Sequence, residues 1–323
     1  AYVCIGHNVR YLIIWILFVF KIHFTIHCLF SRIAFIVKHT VIPNLFTVIE
    51  LFGKPTADLK IQWQKIVADE WCPYLDRKCI KVRKSQPEIS IGTCSVLYGK
   101  TKRPIIICPF RLLERRQIFT DCLHLLTTHE PGNELHIVPE ISVPGGSVDY
   151  FLASVRNQKV KDFVGIELQT LDTTGTVWPA RQKFLEKVNV VQEGPPEYKT
   201  YGMNWKMTAK TILIQLHHKI QTFEEINKRL VLVIQDYLLV YLRQQFQFSR
   251  LRTARQGDPM QIHAYQMAKK PDDMYSLELG ERVSTDSDGI AICLGLQADA
   301  KVELEEIIEQ IESKISSKTR FAF

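Results

Sequence analysis

Ser147–Gly175 reads SVDYFLASVRNQKVKDFVGIELQTLDTTG. The spacing predicts a strand, a polar turn and a second strand. Asp149 lies in the first strand, with Glu167 and Gln169 two residues apart in the second. Side chains alternate across a strand, so Glu167 and Gln169 share one face while Val164, Ile166 and Leu168 turn to a core on the other. A carboxylate on one strand beside a carboxylate and an amide on its neighbour makes an oxygen-lined notch, the type of site that hard divalent cations such as Mg²⁺ take. The alternative is a set of ordinary polar residues on a half-solvated sheet face. Asp149 argues against it, because Asp is disfavoured inside strands and is here flanked by Val148, Tyr150, Phe151 and Leu152.

Upstream, VPEISVPGGSVDY places Glu140 nine residues before Asp149, with Pro144-Gly145-Gly146 as a tight reversal between them. Glu140 either reaches the same notch from a neighbouring element or is a solvated loop acid. His136 reads as a surface or packed histidine. Downstream, Asp172–Gly175 forms a polar loop at a strand exit, where binding residues collect. Asn204–Ile226 has a helical stripe of Ile212, Leu216, Ile220 and Phe223. His217 and His218 are adjacent on it and diverge by about 100°, which is wrong for a metal pair. Arg229–Asp236 reads as a buried strand, Tyr237–Phe246 as a helix and Met260–Met267 as a further strand. This order predicts an α/β core with a mixed sheet. Between them, Arg243, Arg250, Arg252 and Arg255 stand among Gln244, Gln245, Gln247 and Gln256. Arg and Gln can read guanine and adenine edges bidentately, though each taken singly reads as part of a solvated basic loop. Lys301–Ile315 reads as an acidic amphipathic helix.

Cys72, Cys79, Cys94 and Cys108 have the spacing C-x6-C-x14-C-x13-C, so four of the eight cysteines fall within 37 residues. Four thiolates can close a tetrahedral cage around zinc or iron. The competing reading is four separate buried thiols, since no C-x2-C pair is present. Disulfides are disfavoured because no secretion signal precedes them. Before this region, Leu59–Trp71 has the helical period. After it, Arg111–Thr128 reads as an amphipathic helix with Cys122 packed inside.

The 323 residues are 46% hydrophobic, enough for one or two domains with a real core. Tyr11–Phe20 is apolar, but ten residues are too few to span a bilayer, and Lys21, His23, His27 and Arg32 interrupt any continuation of the run. The first acid is Glu50 and the first methionine Met203. These features predict that residues before about Leu45 are read-through of upstream DNA and not part of the working protein. Arg10, Lys21, Arg32 and Lys38 lie in that leader and supply four of the seven net positive charges. Net charge is therefore a weak argument for a nucleic-acid partner.

The spacing Asp149…Glu167-x-Gln169 resembles the ExQ variant of the PD-(D/E)xK nuclease site, in which Gln replaces the usual final Lys. PGGSVDYFL…FVGIELQTLDTTGT, with the four upstream cysteines and ILIQLHHK…LVLVIQD, is similar to the NotI-type restriction endonucleases. The likeness runs from about Glu50 to at least Asp236. It implies a PD-(D/E)xK core over 129–323, a small N-terminal four-cysteine metal-binding domain over 46–128, and a doubtful leader over 1–45. It implies a cytoplasmic prokaryotic homodimer, without a membrane partner, that cuts both strands of a palindromic site in double-stranded DNA with Mg²⁺. By match, Asp149 and Glu167 are ligands of the catalytic Mg²⁺, Gln169 takes the Lys position, and Glu140 is an auxiliary acid. Cys72, Cys79, Cys94 and Cys108 hold a structural iron or zinc. The alternative function is a non-catalytic DNA-binding protein built on the cysteine site, for which the acid pair has no use.

Overall fold

A computed structural model of the chain describes residues 47–190, 201–271, 274–295, 308–309 and 312–313. The expected leader and nearly all of the expected acidic helix over Lys301–Ile315 lie outside these residues.

The first part of the described chain is a set of short strands. β1 (Thr47–Leu51), β2 (Lys54–Pro55), β7 (Thr93–Tyr98) and β8 (Arg103–Ile106) form a four-stranded antiparallel sheet in the order β2-β1-β7-β8. Helix α1 (Trp63–Asp69) buries Trp63 and Val67, while Leu59 and Trp71, at the ends of the stretch with the helical period, lie outside it and are largely exposed. It stops where Glu70 turns left-handed at φ 49°. Two small hairpins come next, β3 (Trp71–Cys72) with β4 (Arg77–Lys78) and β5 (Val82–Arg83) with β6 (Gln86–Ser90).

Arg111–Thr128 is not one helix. A 3₁₀ segment (Pro109–Arg116), helix α2 (Gln117–Cys122) and a short 3₁₀ turn (Leu123–Leu125) replace it. Positive φ at Arg115 and Arg116 breaks the run, because right-handed helix needs negative φ throughout. The apolar spacing is still used: Leu112, Leu113, Ile118, Phe119 and Cys122 are all buried.

The large sheet has seven strands in the order β13-β15-β14-β12-β11-β10-β9. Strands β9 (Glu134–Val143), β10 (Gly146–Arg156) and β11 (Lys159–Gln169) form an antiparallel meander. Helices α3 (Trp178–Lys187) and α4 (Trp205–Glu225) then lead into β12 (Arg229–Gln235), parallel to β11. Helix α5 (Asp236–Gln245) and the short β13 (Arg252–Thr253) precede β14 (Met260–Lys269), parallel to β12. β15 (Tyr275–Thr285) returns antiparallel, and α6 (Ser287–Leu294) comes after it. The expected mixed α/β sheet is therefore present, and α4, β12 and α5 lie within a residue or so of their expected bounds.

Both faces of this sheet are covered. Val164, Ile166, Val231 and Val233 pack with Leu112, Ile118 and Tyr265 on one face. On the other, Phe151, Leu230 and Leu232 pack under Leu216, Ile220 and Phe223 of α4. The Glu167 face is thus roofed by a helix, not half-solvated. The same apolar cluster takes in Val48, Leu51, Trp63 and Val67 from the small sheet and α1.

The Pro144-Gly145-Gly146 turn lets the meander and α4 touch. A Cβ on Gly145 would lie 2.7 Å from the His218 carbonyl carbon and 2.8 Å from its oxygen, and Gly145 holds φ 93°. Backbone atoms of a helix cannot step aside, and this φ disfavours any side chain. Gly145→Ala is expected to cost roughly 2–5 kcal/mol, combining strain with overpacking, as read by urea unfolding.

Candidate metal and acid site

β9, β10 and β11 bring three acids level. The β10–β11 register pairs Tyr150 with Ile166, and one step further Asp149 stands opposite Glu167. The β9–β10 register pairs Val148 with Ile141 and Tyr150 with Pro139, which sets Glu140 opposite Asp149. Glu140 takes φ 50° inside the strand and is exposed. It lies on an edge strand, not in a loop, level with Asp149, and its side chain is solvent-exposed.

The hydrogen bonds divide the carboxylate oxygens. Asp149 Oδ2 accepts from the Leu168 backbone N–H at 2.8 Å. Glu167 Oε1 accepts from Lys219 Nζ at 2.5 Å, and the same ammonium donates to the Ser147 carbonyl at 2.5 Å. Gln169 turns its amide N–H to the Thr170 carbonyl at 2.7 Å. Glu167 and Lys219 are only 5% and 4% exposed, whereas Asp149 and Gln169 are half-buried.

The electrostatics arise from this crowding. Burial is the largest influence on Glu167 and pushes its carboxyl up to about 7; Lys219 opposes the rise and the Asp149 charge adds to it. Burial also raises Asp149, with the Leu168 amide and Lys219 lowering it and Glu140 raising it.

Lys219 is the site residue that sequence reasoning missed. It lies three residues after Leu216 and four before Phe223, inside the buried stripe of α4. A lysine on an apolar stripe needs a buried partner, and that spacing was the available signal.

The four cysteines are all buried and free. Each of Cys72, Cys94 and Cys108 is held above the ordinary thiol range, by burial first and also by neighbouring thiols of the set. Cys79 acts on Cys72, Cys108 and Cys72 on Cys94, and Cys79 and Cys72 on Cys108. Backbone amides of Leu75 and Tyr74 point to the Cys72 sulfur, that of Gly53 to Cys94 and that of Phe110 to Cys108. Amide donors to the sulfurs would offset the charge that metal binding leaves on a thiolate. Among the described residues, no three His, Cys, Asp or Glu side chains are drawn close enough to form a ready-made metal cage.

Other expected features separate from the acids. Arg243 pairs with Glu281, Arg250 with Asp286 and Asp288, and Arg252 with Asp258. Gln256 donates to the His124 carbonyl. The three arginine pairs are solvent-exposed ion pairs, which hold their side chains only weakly. His136 is exposed beside Glu134, and Cys122 is fully buried, both as expected. Among the described residues no helix is long and apolar enough to cross a membrane. No protein-family model matches the sequence, and comparison with curated proteins gave no match.

Proposed function

We propose that the protein is a metal-dependent phosphodiesterase with a PD-(D/E)xK core. Within that class it is a type II restriction endonuclease, acting as a homodimer on a palindromic site in double-stranded DNA. The observation that carries the reading is the Asp149–Glu167 pair on adjoining antiparallel strands, with Gln169 two residues on and Glu140 alongside. Asp149 Oδ1 and Glu167 Oε2 have no hydrogen-bond partner among the described residues, and both acids face the ammonium of Lys219. An all-oxygen donor set short of positive charge fits Mg²⁺.

Asp149 and Glu167 would hold the cation. When bound, Mg²⁺ lowers the pKa of a water and offsets charge on the phosphate. Gln169 has no charge, so its part is to hydrogen-bond and orient the attacking water, and Glu140 is an auxiliary acid at the rim. Cutting both strands of a two-fold site calls for two such centres, which a homodimer supplies. Cys72, Cys79, Cys94 and Cys108 would hold a structural iron or zinc in the N-terminal part. A purely DNA-binding role leaves the acid cluster without a use, and keeping it charged in a buried place is costly.

The test is digestion of a diverse plasmid panel and randomised DNA with Mg²⁺, then sequencing of the ends. Discrete cuts at one sequence are expected; uncut DNA with folded protein and Mg²⁺ present refutes the reading. The same assay gives a pH signature. Cation binding needs ionised Glu167, whose carboxyl sits at about 7. At subsaturating Mg²⁺ the rate is expected to climb about tenfold per pH unit below that point and to level off above it. Raising Mg²⁺ should move the rise to lower pH.

A further inference from the structure

Lys219 reaches the acids by a built route. Its side chain leaves the buried stripe of α4 and passes Gly146, where an added Cβ would stand 3.2 Å from Lys219 Cε. Its ammonium then ends on Glu167 Oε1 and the Ser147 carbonyl. Ion pair and carbonyl together fix the charge against the carboxylate that would hold a divalent cation.

We propose that Lys219 is the resident counter-ion of this acid cluster and competes with the divalent cation for Glu167, so that it sets the metal concentration the protein requires. The proposal rests on reading the site as a metal centre. Two cations that share one carboxylate repel each other, and a few ångströms of protein screen that repulsion far less than water does. Gln169 adds no charge of its own, so the contest lies between Lys219 and the metal. Lys219 is thus a positioning residue: it holds Glu167 Oε1 in place until metal arrives, and the pair must loosen when it does.

Competition has a signature that disrupted packing lacks, because removing the lysine should tighten metal binding. The experiment titrates Mn²⁺ by calorimetry at pH 8.5 and constant ionic strength, using the full chain as wild type, Lys219→Met, Lys219→Gln and Glu167→Gln. Lys219→Met is expected to bind Mn²⁺ at least tenfold more tightly than wild type, and Mn²⁺ should raise its melting temperature more. A gain in affinity of less than tenfold, or weaker binding, overturns the proposal. If Lys219→Met does not fold in metal-free buffer, Lys219→Gln is held to the same criterion, since its amide still donates to Glu167 or Ser147. If neither folds without metal, recovery of the fold on adding Mn²⁺ supports the competition, and failure to recover overturns it. Wild type that binds no Mn²⁺, or binds it unchanged by Glu167→Gln, overturns the metal centre itself and Lys219's role with it. Wild-type binding that needs Glu167 but is indifferent to Lys219 overturns the Lys219 proposal alone.

Discussion

Asp149→Asn is expected to leave a folded protein whose Mg²⁺-dependent DNA cleavage has fallen by about a thousandfold or more. The substitution is nearly isosteric, and the new amide oxygen can still accept from the Leu168 N–H, so the end of the β10–β11 ladder keeps its bond. One of the two charges proposed to hold the cation disappears. Metal-ion stabilisation of a phosphoryl transition state is worth several kcal/mol, and each 1.36 kcal/mol is about tenfold in rate. The folded state should not suffer. Burial and the nearby Glu140 already hold the Asp149 carboxyl above its ordinary range, so its ionised form is a burden on the native state at neutral pH. The neutral amide removes that burden, and melting at pH 8 is expected to be unchanged or slightly higher. Rates by gel assay and melting by circular dichroism read the two effects separately. Cleavage within tenfold of wild type would remove Asp149 from the site.

Arg111→Leu is expected to cost about 3–5 kcal/mol, a large part of the 5–15 kcal/mol that holds an ordinary domain together. Arg111 is 1% exposed and meets Glu50 Oε2 through Nε at 2.8 Å and Glu114 Oε2 through Nη1 at 2.9 Å. Its remaining nitrogen donates to the Tyr275 carbonyl at 2.9 Å. Glu50 belongs to β1 of the small sheet, and Tyr275 opens β15 of the large one. The guanidinium therefore ties the small sheet to the last long strand of the large one. Leucine in its place strands a buried carboxylate, and the cost arises from that unpaired charge more than from a lost bond. Arg111→Leu combined with Glu50→Leu is accordingly expected to recover about half of the loss. Urea unfolding of the single and double variants measures both, and a double variant no more stable than Arg111→Leu would show that the charge is not the cause.

The strands and helices that carry the site were legible because their cause is local. Alternation across Val164, Ile166 and Leu168 against Glu167 and Gln169 sets which face each side chain takes once the segment is extended. The stripe Ile212, Leu216, Ile220 and Phe223 sets the buried side of α4 in the same way. Where the local signal is ambiguous, periodicity misleads. Arg111–Thr128 has helical apolar spacing, but left-handed residues at Arg115 and Arg116 break it, and spacing alone says nothing of φ. β9 carries exposed Leu135, Val138 and Ile141, so it lacks the buried alternation that marks a strand, and its sequence does not separate a strand acid at Glu140 from a loop acid.

The sequence by itself determined which face Glu167 and Gln169 share, the strand that carries Asp149 and the mixed α/β order, since each depends on the alternation or period within one segment. Only the tertiary structure decided which charges meet. Lys219 lies 52 residues from Glu167 and reaches it because two glycines let a helix press on a turn. Arg243, Arg250 and Arg252 pair with acids 38, 36 and 6 residues away. Coulomb energy depends on distance in space, and periodicity along a chain does not encode it.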